Sequence, residues 1–402
     1  MAIPSKKQRI DNYVTKIFHE SNTGTFDIFT YIDIDKYMSK EEILGCLETI
    51  VQKNPVLKEY IQKENDTLFL VEDTDFDIQS YCTIHQIKKE DFQSYMDIFL
   101  NEAFSTPCKW KVNVCCDTAT NTIRIAFKID HAYADGYQVI KILTSAFTDE
   151  DPTKKFKHST TFFNSIYALV FGTLSLLSLN IKFLVKCLTN EIQDNYVTRD
   201  TETLQSEPLS LADIKQITKK YNITVNDFLY ACMVKTDYLY TNNPRTITSA
   251  SPINVSRTKD LNNVMPLFLS MQTDLDTPTL FHKVHSMFDA CKYSAFTSLL
   301  SILINTATPL LSMDILTRCY DVILSNCDYV YSNIIGPDLK TISIPVSNIH
   351  FATIAKNNEI VFNIISCNDT VNIVCSFKKG RIEDKAQFKT CIEEAYKSLL
   401  AS

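Results

Sequence analysis

One histidine sits four residues ahead of an aspartate-glycine pair, in the stretch Asp130-His131-Ala132-Tyr133-Ala134-Asp135-Gly136. An imidazole titrates near neutral pH and can take a proton from a nucleophile as it reacts, which makes His131 the first candidate for general-base chemistry. Asp135 has two roles open to it: it can cap the helix that follows, or pair with a cation from elsewhere in the chain. Gly136 is one of only six glycines in 402 residues, so it is expected where the backbone turns tightly or takes a positive φ beside the imidazole. Taken alone, the stretch reads equally well as a capped helix whose His fills space.

The elements on either side give the histidine its setting. Ile123, Ile125, Phe127 and Ile129 alternate with Arg124, Ala126, Lys128 and Asp130, the period of a strand with one buried face. Val139, Ile140, Leu143, Ala146 and Phe147 then share one face of a helix. His131 therefore belongs at a strand-to-helix junction, the open edge of a sheet where a rigid scaffold presents a polar group to a cleft. Residues 111–116 pair with 123–129 as a hairpin across the polar turn 117–121.

Other candidates for chemistry are weaker. His282 and His285 are three residues apart, but no third ligand accompanies them, so a solvated helix face is expected and no metal. The 13 cysteines include no Cys-x-x-Cys spacing and one adjacent pair, Cys115 and Cys116. That pattern suits reduced, mostly buried thiols in a cytoplasmic chain better than disulfides. A formal charge of −7 argues against a nucleic-acid surface. With 45% hydrophobic and 22% charged residues the chain has material for two globular domains or one large pseudo-repeated one. The polar start of the sequence has no apolar run of the signal-peptide kind.

Along the chain, Ser39 and Glu42 form a capping box for a helix that Pro55 ends. Short strands are expected over 66–73 and 75–84, and a helix over 89–104. From 161 to 181 there are 21 residues without a charge, about the length of a membrane span. Its polar dilution favours a helix that touches a membrane or covers a substrate over a true span. Ser210 with Asp213 opens a further helix, and another begins at Val225-Asn226-Asp227, where Asn226 serves as N-cap. Strands are expected over 246–255, 329–332, 349–354, 360–366 and 371–377, helix over 278–323, and a closing helix over 383–400.

Four of these segments together resemble one family. His131-x-x-x-Asp135-Gly136 resembles the HxxxDG signature of the CoA-dependent acyltransferase superfamily. Asn54-Pro55-Val56-Leu57 resembles its early HPxLR segment, Val225-Asn226-Asp227-Phe228-Leu229 is similar to the VNDVVL motif of the wax ester synthase/diacylglycerol acyltransferase branch, and Tyr331-Ser332-Asn333-Ile334-Ile335-Gly336-Pro337 is similar to that branch's SNVPGP segment. They occur in the family's order. The chain departs from it in carrying Asp130 where many members have a second His, and Pro107-Cys108-Lys109-Trp110 in place of Pro-Leu-Trp.

The resemblance implies an α/β (α+β) protein of two chloramphenicol-acetyltransferase-like lobes, each a mixed sheet with flanking helices, with a tunnel between them. The expected division is 1–160, a crossover with the apolar segment at 161–205, and 206–402. It implies acyl-CoA as co-substrate with no covalently bound cofactor and an alcohol as acceptor; the charge balance implies no nucleic acid, and the apolar segment implies peripheral membrane contact through 161–187. His131 would be the base for direct transfer to a hydroxyl, and Asp135 would turn away from it to pair with Arg257. Asn226, Asp227, Ser332, Asn333 and Trp110 are carried over as binding residues. Transfer of an acetyl group or amide formation on a small acceptor, and a non-catalytic member that binds an acyl chain or carrier protein, stand as alternatives.

Overall fold

The computed structural model describes residues 7–10, 13–20, 26–65, 67–148, 178, 181, 199–254, 264–293, 312, 321–322, 324–339, 342–355 and 359–402. Its first half runs β1 (Lys7–Arg9), α1 (Tyr13–Glu20), β2 (Asp27–Ile34), α2 (Lys40–Lys53), β3 (Glu59–Glu64), β4 (Thr67–Glu72), β5 (Cys82–Gln86), α3 (Phe92–Asn101), β6 (Trp110–Asp117), β7 (Thr122–Asp130) and α4 (Gly136–Thr144). Its second half runs β8 (Thr201–Gln205), β9 (Leu209–Ser210), α5 (Leu211–Tyr221), α6 (Val225–Thr241), β10 (Thr246–Asn254), β11 (Val264–Gln272), α7 (Thr277–Tyr293), β12 (Tyr329–Ile335), β13 (Val346–Thr353), β14 (Ile360–Cys367), β15 (Thr370–Lys378) and α8 (Lys385–Leu400).

Two large mixed sheets organise these elements. The first has the order β13-β2-β7-β6-β5; the second has β11-β10-β12-β14-β15-β8, with β9 also on β15. A small sheet, β1-β4-β3, lies apart. Each large sheet has its own apolar core. The chain changes sheets twice in its second half: β13 leaves the second sheet to pair antiparallel with β2, Val346 opposite Ile34 and Thr353 opposite Ile28, and β14 returns beside β12.

Local chemistry explains the boundaries that matter for the site. Ser39 Oγ accepts from the Glu42 N–H at 3.2 Å while Glu42 Oε2 accepts from the Ser39 N–H at 2.7 Å, and Pro55 turns the chain into one 3₁₀ turn, Pro55–Lys58. Ser210 caps α5 through the Asp213 N–H. For α6 the N-cap is Thr224, not Asn226: Thr224 and Asp227 form the reciprocal capping box, so Asn226 lies inside the first turn. The β6–β7 hairpin forms as expected, with residues 110–117 opposite 122–129.

β7 differs from its expected half-buried form, since all nine of its residues are buried. The face bearing Arg124, Ala126 and Lys128 is covered by α3 and by Val374 of β15, forming a third core with Phe29, Tyr31 and Phe99. Its charges survive burial because they are paired. Arg124 forks onto Asp33 at 2.6 and 2.8 Å. Lys128 Nζ donates to the carbonyls of Phe99 and Glu102 at the end of α3, at 2.7 and 2.6 Å.

No disulfide joins the described cysteines, most of which are buried. His285 is tied to Asp227 and Asp289 rather than solvated. No described helix is long and apolar enough to cross a membrane; the apolar segment 161–187 lies outside the described residues except for Ser178 and Ile181.

Candidate active site

The end of β7 and the start of α4 are joined by a turn built from two aspartates. His131 extends the sheet by one bond, its N–H donating to the Phe26 carbonyl at 2.7 Å. Asp130 Oδ1 then accepts from the Ala132 N–H at 2.8 Å, and the Asp130 carbonyl accepts from the Tyr133 N–H at 3.0 Å. Asp135, extended at φ −81°, caps α4 by accepting from the Gln138 N–H at 2.9 Å. Capping is thus one of the two roles open to Asp135. The proposed partner Arg257 lies outside the described residues. Gly136 has no positive φ; its smallness is needed because a Cβ there would stand 2.9 Å from Ile334 Cδ1 of β12.

The imidazole of His131 stacks on Phe18 of α1, ring centroids 4.1 Å apart. It lines a cavity of about 110 Å³ between the sheets. The first sheet contributes Phe26 and Asp27, and the second contributes Val330, Ser332 and Val361, with Glu359 just ahead of β14. Ser332 therefore lines the same cavity as His131. Asn333 does not, because neighbouring side chains on a strand face opposite ways. It donates from Nδ2 to Asn226 Oδ1 at 2.9 Å and lines a separate cavity of about 450 Å³ with Asn226, Lys215 and Gly336.

Asp227 and Trp110 lie elsewhere. Asp227 is fully buried, its Oδ2 accepting from the Thr224 N–H at 2.8 Å and paired with His285 Nδ1 at 2.8 Å, so it joins α6 to α7. Trp110 is buried in the first core, stacked on Tyr81 at 4.6 Å, and its Nε1 donates to the Leu57 carbonyl at 2.7 Å. It holds the segment after Pro55 and touches neither cavity.

Behind the histidine lies a charge cluster that the sequence reading missed. Asp27 and Asp130 are paired opposite each other across β2 and β7, which sets their side chains on one face. Asp27 Oδ2 accepts from Arg199 Nη1 at 2.9 Å, and the same nitrogen donates to the Glu102 carbonyl at 2.6 Å. Burial pushes the Asp27 carboxyl up to about 6 against the pull of Arg199 and Lys128. Burial and the neighbouring Asp27 push Asp130 up to about 8, while burial brings Lys128 down to about 8. Burial and mutual repulsion thus make this pair of carboxyls hold protons more tightly than free carboxylates do. The signal for β2 was present: Ile28, Thr30, Ile32 and Ile34 alternate with Asp27, Phe29, Tyr31 and Asp33.

Comparison with known proteins bears on this geometry. A family model for the WS/DGAT C-terminal domain matches residues 262–400. Comparison with curated protein sequences gives no match. Among solved structures, the wax ester synthase/diacylglycerol acyltransferase from Marinobacter aquaeolei VT8 superposes with a TM-score of 0.64 at 14% identity, covering 99% of this chain and 98% of that one. The trichothecene 15-O-acetyltransferase from Fusarium sporotrichioides gives 0.60 at 11% identity, over 97% and 95%. The starter condensation domain of rhizomide synthetase, in complex with C8-CoA and Leu-SNAC, gives 0.60 at 10% identity, over 98% and 94%. The family model and these folds support an acyltransferase. The protein thus shares the two-lobed fold of these solved structures, and its residues 262–400 match the model of the WS/DGAT C-terminal domain.

Proposed function

We propose that the protein transfers an acyl group from acyl-CoA to a hydroxyl acceptor, directly and with His131 as general base. The observation that supports this is the position of His131, at a strand-to-helix turn, in the wall of a cavity that both sheets line. An alcohol is a poor nucleophile at neutral pH. As its oxygen attacks the thioester carbonyl, the imidazole takes its proton; the tetrahedral intermediate then collapses, the C–S bond breaks, and the imidazolium returns the proton to the departing CoA thiolate. Asp135 acts on this chemistry only by shaping the turn. The bound acyl-CoA of the rhizomide condensation domain is consistent with this co-substrate.

Release of free thiol from acyl-CoAs of graded chain length, with and without alcohols, tests the reading. His131→Ala should lower kcat by roughly 10² to 10⁴ while the far-UV circular dichroism stays native. A folded variant that keeps turnover within about threefold of the parent would remove His131 from the mechanism.

A further inference from the structure

Asp27 differs from the other charged side chains around the cavity in having an oxygen to spare. It is 0% exposed and stands in the cavity wall with His131. One oxygen is occupied by Arg199, whereas Oδ1 is buried and has no hydrogen-bond partner among the described residues. A buried acceptor left unmade costs about as much as a lost hydrogen bond, so such atoms are rare in folded proteins unless something else fills them. The remaining wall offers mostly apolar atoms from residues such as Phe26, Pro252 and Val361, none of which can donate. Ser332 and Thr353 bring hydroxyls to the same wall, but among the described residues none donates to Asp27 Oδ1, so a donor on a molecule that enters the cavity would complete it.

The cavity's size narrows the choice. At about 110 Å³ it is smaller than the engineered apolar cavities of about 150 Å³ that hold benzene. It therefore suits a small polar head rather than a ring or a folded alkyl chain. We propose that Asp27 is an acceptor-binding residue, and that the acceptor carries a second N–H or O–H donor within one or two carbons of the reacting hydroxyl, as in a 1,2-diol or a 2-amino alcohol. While His131 takes the proton of the reacting group, Asp27 Oδ1 accepts from the second, fixing the nucleophile relative to the base. The substrate class rests on the acyl-transfer reading given above; the binding role of Asp27 does not.

The test compares a 1-alkanol, the matching 1,2-diol and the matching 2-amino alcohol in two measurements. In the thiol-release assay the parent should favour the two-donor acceptors by about 10- to 100-fold in kcat/KM. Asp27→Asn, which turns an amide N–H₂ toward the cavity if its oxygen keeps Arg199, should remove that preference. Arg199→Gln separates this from a structural role, since loss of the ion pair alone should lower all three acceptors together. Calorimetric titration of the diol into parent and Asp27→Asn, without acyl-CoA, reads binding independently of turnover. Weaker diol binding by the variant with no thiol release from any pair would keep the binding role and end the acyl-transfer reading. Thiol release with no acceptor preference in either protein would overturn the proposal and leave acyl transfer standing. A variant that loses its native circular dichroism is replaced by Asp27→Ser, for which the same loss of preference is expected and an unchanged preference would overturn the proposal.

Discussion

Two buried aspartates, Asp27 of the first sheet and Asp237 of α6, are each 0% exposed and each meet an arginine. Asp237 is saturated. Its Oδ1 accepts from Arg245 Nη2 at 2.5 Å and from the Tyr329 hydroxyl at 2.6 Å, its Oδ2 from Arg245 Nε at 2.9 Å, and Arg245 reaches on to Asp328 at 3.0 Å. That fork holds the Arg245 guanidinium above its ordinary range. Asp27 has one arginine nitrogen, a second carboxyl beside it and an oxygen without a hydrogen-bond partner among the described residues. The same residue type at the same burial is thus a finished structural joint in one lobe and an unfinished one in the other. The unfinished one borders the cavity.

The contrast can be broken most sharply at the saturated joint. Asp237→Ala leaves Arg245 and the Tyr329 hydroxyl without their acceptor, and should cost about 3 kcal/mol or more in denaturant unfolding. A loss below about 1 kcal/mol would mean that the fork is not what secures α6 to β12. The opposite sign is expected for the other cluster. Asp130 binds its proton more tightly folded, at about 8, than at the ordinary 3.8. Its contribution to stability is therefore complete below about 4 and is lost as pH rises toward 8. Asp130→Asn keeps the oxygen that accepts from Ala132 but cannot ionise, so it should raise stability at pH 8 by about 1 to 3 kcal/mol and flatten the pH dependence between 5 and 8. Urea midpoints at those two pH values check it.

A smaller effect separates Asp27 from its arginine. Below its folded value of about 6 the Asp27 carboxyl is already protonated, so Arg199→Gln should cost only about 1 kcal/mol at pH 5. Above that value the parent gains from an ionised pair that the variant lacks, and the cost should grow to about 2 kcal/mol at pH 8. A cost independent of pH would show that Arg199 acts through the Glu102 carbonyl alone.

How much of this was legible depended on sequence distance. The turn from His131 to Gly136, the capped helix after Ser39 and the β6–β7 hairpin are local, and their residue types carry the signal. The cap of α6 was also local, but Thr224 lay outside the motif that drew attention to Asn226. The rest arises from contacts that no window contains. Arg199 meets Asp27 across the two halves of the chain, and Phe18 meets His131 from a short helix. Of the tight turn and the positive φ that a glycine at 136 suggests, the positive φ is absent, and the missing side chain makes room for Ile334. Trp110 carried a motif's name and serves the core. The pairing of motifs on β12 was readable only in part, because Ser332 and Asn333 are adjacent in sequence yet face different cavities.

The placement of β13 also constrains how the chain reaches this structure. The edge of the first sheet beside β2 is filled by residues 346–353, so during synthesis that sheet waits, with an unpaired edge, until those residues have emerged. Long-range pairing of this kind slows folding and exposes strand edges to other chains. A truncated first lobe should aggregate rather than fold, because it lacks the strand that covers the β2 edge.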